Sequence, residues 1–334
     1  MWSPQGPYVL LQIILVLSLA LSAPIGQGAP GGQGGLLIIT TFPNLIYDVE
    51  LISAPDDEIS SIAPLGADPH DYQLTPDDIS LLKKADLIIS TAHAPFEAEI
   101  RRLHDEGEIR GELVEIPDIP GVEIFENPAT GQPNYHMPIY DPDNYVSFVL
   151  YIRGLLTGLR PEKADYYRDK SRAVLTAIYK LVSETPKLGL RAAADLPSIQ
   201  YAVGWLGVEI TFLLVKEHDV PATPSDMLKL REAVSEGLID LVVVSEPVKA
   251  SASRCLEDIA EENGIPILYV PSPLAPMSIL DKLSLISQRA KGVVKPGASA
   301  GGTAWWRTGL VLATATALVL LAIFSAALAL YARG

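Results

Sequence analysis

The sequence predicts an α/β protein of two lobes with mostly parallel sheets, joined by one long rigid helix. Short runs rich in Ile, Leu and Val alternate with helical patterns, as buried parallel strands alternate with their crossover helices. Helix starts are marked by Thr-Pro-x-Asp at 75–78 and again at 223–226. The longest uninterrupted helical pattern, at 161–184, lies midway along the body of the chain. A helix in that position indicates a strut between two lobes.

Six strands are predicted in the body. Most are apolar on both faces and separated by helices, so the sheets are expected to be parallel. The predicted strands are residues 36–40, 86–90, 112–116, 198–202, 240–245 and 266–270. They divide the body into an N-terminal lobe at 36–160 and a C-terminal lobe at 185–292.

The stretches 75–90 and 223–245 follow the same order: T-P-x-D, a helix, then Asp-Leu and an apolar strand that ends in Ser. Two lobes of like construction would produce this echo, and so would the common rules for starting a helix. Both interpretations stay open at the level of sequence.

The predicted helix at 161–184 keeps apolar residues at i, i+3 and i+4 spacing and would be about 35 Å long.

The two ends of the chain predict export and a membrane anchor. Residues 1–23 contain an apolar run followed by small residues and are predicted to be a signal peptide. Residues 305–331 hold a charge-free apolar stretch with aromatic residues at its borders, which predicts a C-terminal transmembrane helix. Gly- and Pro-containing stretches at 24–35 and 293–304 are predicted to be a flexible linker and a tether. The globular body is therefore expected outside the cell, attached to the cell membrane.

Charge and cysteine content exclude several classes of protein. The formal net charge of −15 argues against nucleic acid as a partner, which requires a basic surface. The only cysteine, Cys255, rules out an internal disulfide and a cysteine-based zinc site. It does not follow the N-terminal apolar run, so a lipid-modified cysteine is not expected there.

Two of the five histidines lie in similar settings. His70 follows a proline in GADPHDY, and His136 precedes one by two residues in NYHMPIYDPDN. Each lies on a loop just before a predicted helix start. Neutral imidazole is a good ligand for zinc, manganese and iron, so the pair predicts a metal site if both loops face one cleft. His104 and His218 lie among charged residues and are expected at the surface.

These motifs resemble the zinc/manganese-type solute-binding proteins of ABC transporters. The order of the motifs is Thr40-Thr41-Phe42-Pro43, GADPHDYQLTPDD, Lys-Lys-Ala-Asp-Leu, Phe96-Glu97, NYHMPIYDPDN, the helix start Pro161-Glu162-Lys163 and Ser245-Glu246-Pro247. The resemblance covers roughly residues 36–290. It implies two α/β lobes joined by one long helix, with the metal between them.

The family generally uses four metal ligands, and His70 and His136 match the first two. At the third position this chain has Leu196, which cannot bind a metal, and at the fourth Ser272, whose hydroxyl is a poor ligand. Asp195 is a weak substitute. Because ligands collect at the carboxyl ends of strands, His93 and Glu246 are the candidates to complete the site.

The resemblance implies a substrate-binding component of an ABC importer that captures a divalent transition metal, zinc or manganese in the first place, and delivers it to a permease. The chain is expected to be a monomer and not an enzyme. The alternative is a degenerate relative that binds a non-metal solute or acts as a surface interaction protein. A metal-dependent hydrolase is disfavoured because the sequence has no nucleophile elbow and no HExxH motif.

Overall fold

The computed structural model describes residues 34–68, 70–217, 222–247 and 251–293. They form two four-stranded sheets in which every strand pairs parallel to its neighbours. The strands are β1 Leu37–Thr40, β2 Glu58–Ser61, β3 Leu87–Ser90, β4 Glu112–Glu115, β5 Arg191–Ala194, β6 Glu209–Leu213, β7 Leu241–Glu246 and β8 Ile267–Pro271. The predicted architecture of two α/β lobes with parallel sheets is confirmed.

Helices cover the sheets and connect the lobes. They are α1 Ile46–Glu50, α2 Pro76–Leu82, α3 Pro95–Asp105, α4 Pro142–Leu159, α5 Ala164–Glu184, α6 Ile199–Gly204, α7 Pro224–Ser235, α8 Ser251–Asn263 and α9 Ile279–Val293. The long helix predicted from the apolar spacing is α5, which begins after a single 3₁₀ turn at Pro161–Lys163. At 1.5 Å per residue it is about 32 Å long.

The two lobes have the same topology. The strand order is β2-β1-β3-β4 in the first sheet and β6-β5-β7-β8 in the second. The helices of the Thr-Pro-x-Asp echo, α2 and α7, both precede the third strand of their lobe, and both begin with a complete capping box. Thr75 pairs with Asp78 in one, and Thr223 with Asp226 in the other. The echo in the sequence therefore corresponds to two lobes of like construction.

One predicted strand is wrong. Residues 198–202 belong to helix α6, whose buried residues Ile199, Tyr201, Ala202 and Val203 face the core. The strand of this region is β5, with the sequence Arg-Ala-Ala-Ala. Alanine has a low β-propensity, so β5 shows no local signal and is a strand only because it pairs with β6 and β7. Strands β2 and β6 were also missed, and in both of them polar residues interrupt the apolar ones.

A single apolar core extends from one lobe into the other. It contains Ile38 from β1, Val243 from β7, Phe148 from α4 and Val174 from α5, each at most 5% exposed. Two smaller apolar clusters lie on the outer faces of the sheets, one cluster on each sheet. Because opening the lobes would expose this shared core to water, the structure favours small movements over wide hinge closure.

A buried carboxylate also joins the lobes. Asp48 in α1 is fully buried, and its Oδ1 accepts hydrogen bonds from the Tyr145 hydroxyl at 2.6 Å and from the backbone N–H of Ile279 at 2.7 Å. Burial raises the pKa of Asp48 to about 6, although Lys282 nearby acts in the opposite direction. Ionisation of Asp48 is therefore less favourable in the folded protein than in the unfolded chain.

This raised pKa predicts the pH dependence of stability. A carboxyl with a folded pKa above its unfolded value stabilises the fold at low pH and loses that contribution as pH rises through about 6. Asp48→Asn keeps an oxygen for both donors and cannot ionise. Between pH 4 and pH 7 the wild type should lose on the order of 3 kcal/mol of its free energy of unfolding through this group. The Asp48→Asn variant should not show this loss. Urea denaturation at several pH values measures this, and parallel curves for the two proteins would contradict it.

The predicted signal peptide at 1–23, most of the linker at 24–35, almost all of the tether at 293–304 and the predicted anchor at 305–331 lie outside the described residues. Within the ranges that the structure describes, no helix is both long and apolar enough to cross a membrane.

Candidate metal centre

Loops at the carboxyl ends of strands from both lobes line one cleft. It is a cavity of about 1570 Å³ bordered by residues that follow β1, β3, β5, β7 and β8. Ligands of α/β proteins bind at this end of a parallel sheet. Here two such sheets contribute to the same space, so the cleft is the candidate site.

The structure brings three histidines together at this cleft. His70 lies on the loop after β2, His93 on the loop between β3 and α3, and His136 ahead of the 3₁₀ turn Pro138–Tyr140. The ring centroids of His70 and His93 are 5.4 Å apart, and those of His93 and His136 are 4.4 Å apart. His93, predicted only from its place after a strand, is thus the ring that contacts both others.

His93 is held by the start of helix α3. Its backbone N–H donates to Oε2 of Glu97 at 2.8 Å. The side-chain Nε2 is buried and has no hydrogen-bond partner among the described residues. Burial, together with the neighbouring rings of His136 and His70, lowers the pKa of His93 to about 4. The ring is therefore uncharged at neutral pH, which is the form that binds a metal.

His136 connects the cleft to the second lobe. Its Nδ1 lies 3.0 Å from Oδ1 of Asn134, and its Nε2 lies 3.6 Å from Oε2 of Glu217. Asn127 fixes Glu217 by donating to its Oε1 at 3.2 Å and to the Lys216 carbonyl at 2.9 Å. A carboxylate from the second lobe is therefore next to the histidines of the first.

Backbone strain is concentrated beside two of these histidines. In the described part of the chain, the non-glycine residues with positive φ are Ala92, at +54°, and Met137, at +56°. Each directly adjoins a site histidine, His93 in one case and His136 in the other. Left-handed backbone is unfavourable for these residue types and persists where surrounding contacts impose it, as at binding sites.

The structure does not bring the fourth predicted ligand, Glu246, to the three histidines. Its carboxylate pairs with Arg289 at 2.7 Å, and the cleft is lined instead by the next residue, Pro247. Asp195 is fully buried, and its Oδ2 accepts hydrogen bonds from the Ser245 N–H and the Ser253 hydroxyl. Both carboxylates serve the packing of the second lobe.

Sequence reasoning missed Glu217, which belongs to a charged stretch that is typical of a solvated surface. The signal that could have revealed it is its position after β6, at the carboxyl end of a strand. The neighbouring His218 lies outside the described residues. His104, expected at the surface, is partly exposed on α3, with Nδ1 at 3.9 Å from Asp105.

The rings of His70, His93 and His136 contact one another edge-on and do not point at a common position. Among the described residues, no group of three or more His, Cys, Asp or Glu side chains has a geometry ready to hold a metal ion. Small side-chain rotations are thus required before the three imidazoles could share an ion. The two positions where the resemblance implies further ligands, Leu196 and Ser272, do line the same cleft but supply no strong donor.

The fold and the motifs agree with known proteins. The family described as "ZnuA: Zinc-uptake complex component A periplasmic" matches residues 38–278. The manganese ABC transporter substrate-binding lipoprotein PsaA of Streptococcus pneumoniae is 20% identical over 272 residues, which cover 78% of this chain and 86% of that protein. The iron-binding protein YfeA of Yersinia pestis is 27% identical over 274 residues, covering 79% and 86%.

Solved structures share the architecture. The solute-binding protein FpvC of Pseudomonas aeruginosa, solved with Mn²⁺, superposes with a TM-score of 0.61 at 18% identity. The alignment covers 78% of this chain and all of that one. The periplasmic zinc-binding protein TroA of Treponema pallidum gives a TM-score of 0.60 at 16% identity, with the same coverage. At such identities the likeness shows the fold alone.

Proposed function

Because this chain belongs to the family of zinc-uptake complex component A, we propose that it is the extracellular substrate-binding component of an ABC importer and captures a divalent transition metal. The observation that carries the proposal is the cluster of His70, His93 and His136 at the carboxyl ends of the sheets. The chain is a binding protein and not an enzyme, as its family is. Its direct partner in this role is the permease of the importer.

The ligand set proposed is the three histidines with Glu217 in place of Glu246. Each histidine offers a ring nitrogen, and the Glu217 carboxylate lies 3.6 Å from Nε2 of His136, from the opposite lobe. Glu246 is already paired with Arg289, so binding a metal would first require that ion pair to break. Glu217 is held by the neutral amide of Asn127 and not by a cation, so it is the carboxylate that can turn to a metal at lower cost.

This donor set favours zinc over manganese. Imidazole suits zinc, iron and nickel, whereas manganese prefers carboxylate and carbonyl oxygens. Three histidines and one carboxylate supply the four ligands of the tetrahedral geometry that zinc usually adopts in proteins. Leu196 and Ser272 line the same cleft and add no strong oxygen donor of the kind that manganese prefers.

Titration of the purified chain with Zn²⁺ and Mn²⁺ tests the proposal. Isothermal titration calorimetry should show one Zn²⁺ bound per chain and at least ~10-fold weaker binding of Mn²⁺, a difference of about 1.4 kcal/mol. Thermal unfolding should shift upwards with zinc because the ion binds only the folded state. No heat of binding and no thermal shift with either metal would refute the metal-binding function.

Membrane attachment by residues 305–331, after export directed by residues 1–23, is a further part of the proposal. Two relatives, PsaA of Streptococcus pneumoniae and FimA of Streptococcus parasanguinis, are named as lipoproteins. The single cysteine of this chain, Cys255, lies in helix α8. Protease treatment of intact cells should digest the globular body, and complete protection would contradict this topology.

A further inference from the structure

The cleft is much larger than a metal ion requires. Its volume of about 1570 Å³ compares with about 30 Å³ for a water molecule in the liquid and about 300–1,000 Å³ for common small-molecule pockets. The three histidines are among the residues that line it. The remaining space is available to a ligand with tens of non-hydrogen atoms.

Most of that space has an apolar lining. Eight large hydrophobic side chains are exposed in the described part of the chain, and four of them line this cleft: Leu65, Tyr135, Leu228 and Leu274. Leu228 is 69% exposed on α7, and Leu274 follows β8, so the second lobe presents apolar groups to the histidines. Exposed apolar side chains gathered in one concave surface mark a binding groove.

A polar group at the floor of the cleft has no partner. Asn44, after β1, is 1% exposed and lines the cavity, and neither its amide nitrogen nor its amide oxygen has a hydrogen-bond partner among the described residues. A buried amide without partners costs free energy, so its persistence points to a ligand that supplies them. Such a ligand carries an acceptor and a donor besides its apolar part.

Charge limits the ligand further. Among the described residues around the cavity, the basic one is Arg231, which pairs with Glu262 at 2.8 Å. The described lining therefore offers a strongly anionic chelator no cationic side chain that is not already paired. The ligand is therefore neutral or weakly charged once it holds a metal.

We infer that this chain captures its metal as a complex with a small, largely apolar organic chelator. The histidines fill the coordination positions that the chelator leaves open, and the apolar half of the cleft holds the chelator. This inference rests on the proposed function and names its substrate class. It also explains Leu196 at the position where the resemblance implies a ligand: the chelator supplies the donors that the chain lacks.

The test compares three probes on the purified full-length chain: Ni²⁺ alone, the 1:1 complex of Ni²⁺ with 1,10-phenanthroline, and the 1:1 complex with ethylenediamine. Both chelators bind through two nitrogens, but only phenanthroline is large and apolar. Calorimetry should show the phenanthroline complex binding at least ~10-fold tighter than the ethylenediamine complex. The protein should retain nickel and phenanthroline in equal amounts after gel filtration.

Variants assign the preference to the cleft. Leu228→Ser combined with Leu274→Ser should remove it, whereas Leu238→Ser, at an exposed leucine that does not line the cleft, should keep it. Equal affinities for the two complexes, or binding of nickel with loss of phenanthroline, would overturn the inference while the proposed function stands. Binding of phenanthroline without metal, unchanged in His136→Ala, would overturn it as well. If none of the nickel probes binds although Zn²⁺ does, this inference fails and the proposed function stands; if Zn²⁺ and Mn²⁺ do not bind either, both fail.

Discussion

Replacing His136 by alanine is expected to lower the affinity for zinc by more than ~100-fold, because loss of even an outer-shell partner of a metal ligand costs about 10–100-fold. The substitution removes the ring that lies 4.4 Å from His93 and 3.6 Å from the Glu217 carboxylate. Leu196 and Ser272, at the two positions where the resemblance implies further ligands, line the cleft without a strong donor. Competition with a chromophoric zinc chelator measures the change.

His70→Ala should have an effect of the same size, because its ring contacts His93 from the other side at 5.4 Å. His104→Ala is the matched control: it removes an imidazole from α3 that lies outside the cleft. The His104 variant should bind zinc as the wild type does. Wild-type affinity in both the His70 and the His136 variants would show that the metal binds elsewhere.

Glu97→Ala is expected to cost about 3–5 kcal/mol of stability and to weaken zinc binding. Glu97 is 1% exposed and accepts five hydrogen bonds. The donors are the Ser90 and Thr91 hydroxyls and the backbone N–H groups of Thr91, His93 and Ala94. Alanine leaves all five buried donors without this acceptor. The loop that holds His93 then loses the contacts that impose its conformation.

Urea denaturation measures the stability loss, and zinc competition measures the loss of affinity. Glu99→Ala is the control on the same helix: Glu99 is exposed and pairs with Arg102 at the surface, where ion pairs contribute little. Glu97→Gln keeps one oxygen and should fall between wild type and Glu97→Ala. If the Glu97 and Glu99 variants unfold at the same urea concentration, the carboxylate does not organise this loop.

Much of the fold could be predicted from local sequence. Strands β1, β3, β7 and β8 have apolar side chains on both faces, and the starts of α2 and α7 carry Thr-Pro-x-Asp, so neighbours in sequence determine them. Strand β5 could not be predicted this way. Its alanines become a strand through pairing with β6 and β7, which are remote in sequence.

The candidate site was predictable in part. The loops of His70 and His136 were recognisable because a histidine beside a proline on a loop is rare and specific in this chain. His93 was predicted from its place at the end of a strand, and the structure brings it between the other two rings. Glu246, the last residue of β7, was predicted as the fourth ligand from its place at a strand end, whereas the charged stretch around Glu217, after β6, indicated a solvated surface.

The sequence by itself determined the helix starts, the apolar strands and the two histidine loops, because these depend on residues a few positions apart. Only the tertiary structure decided which side chains meet. The distance between His93 and His136 depends on two loops more than 40 residues apart and on strained backbone at Ala92 and Met137. Arg289 binds Glu246 and Asn127 holds Glu217, so packing of distant segments selects the carboxylate that faces the histidines.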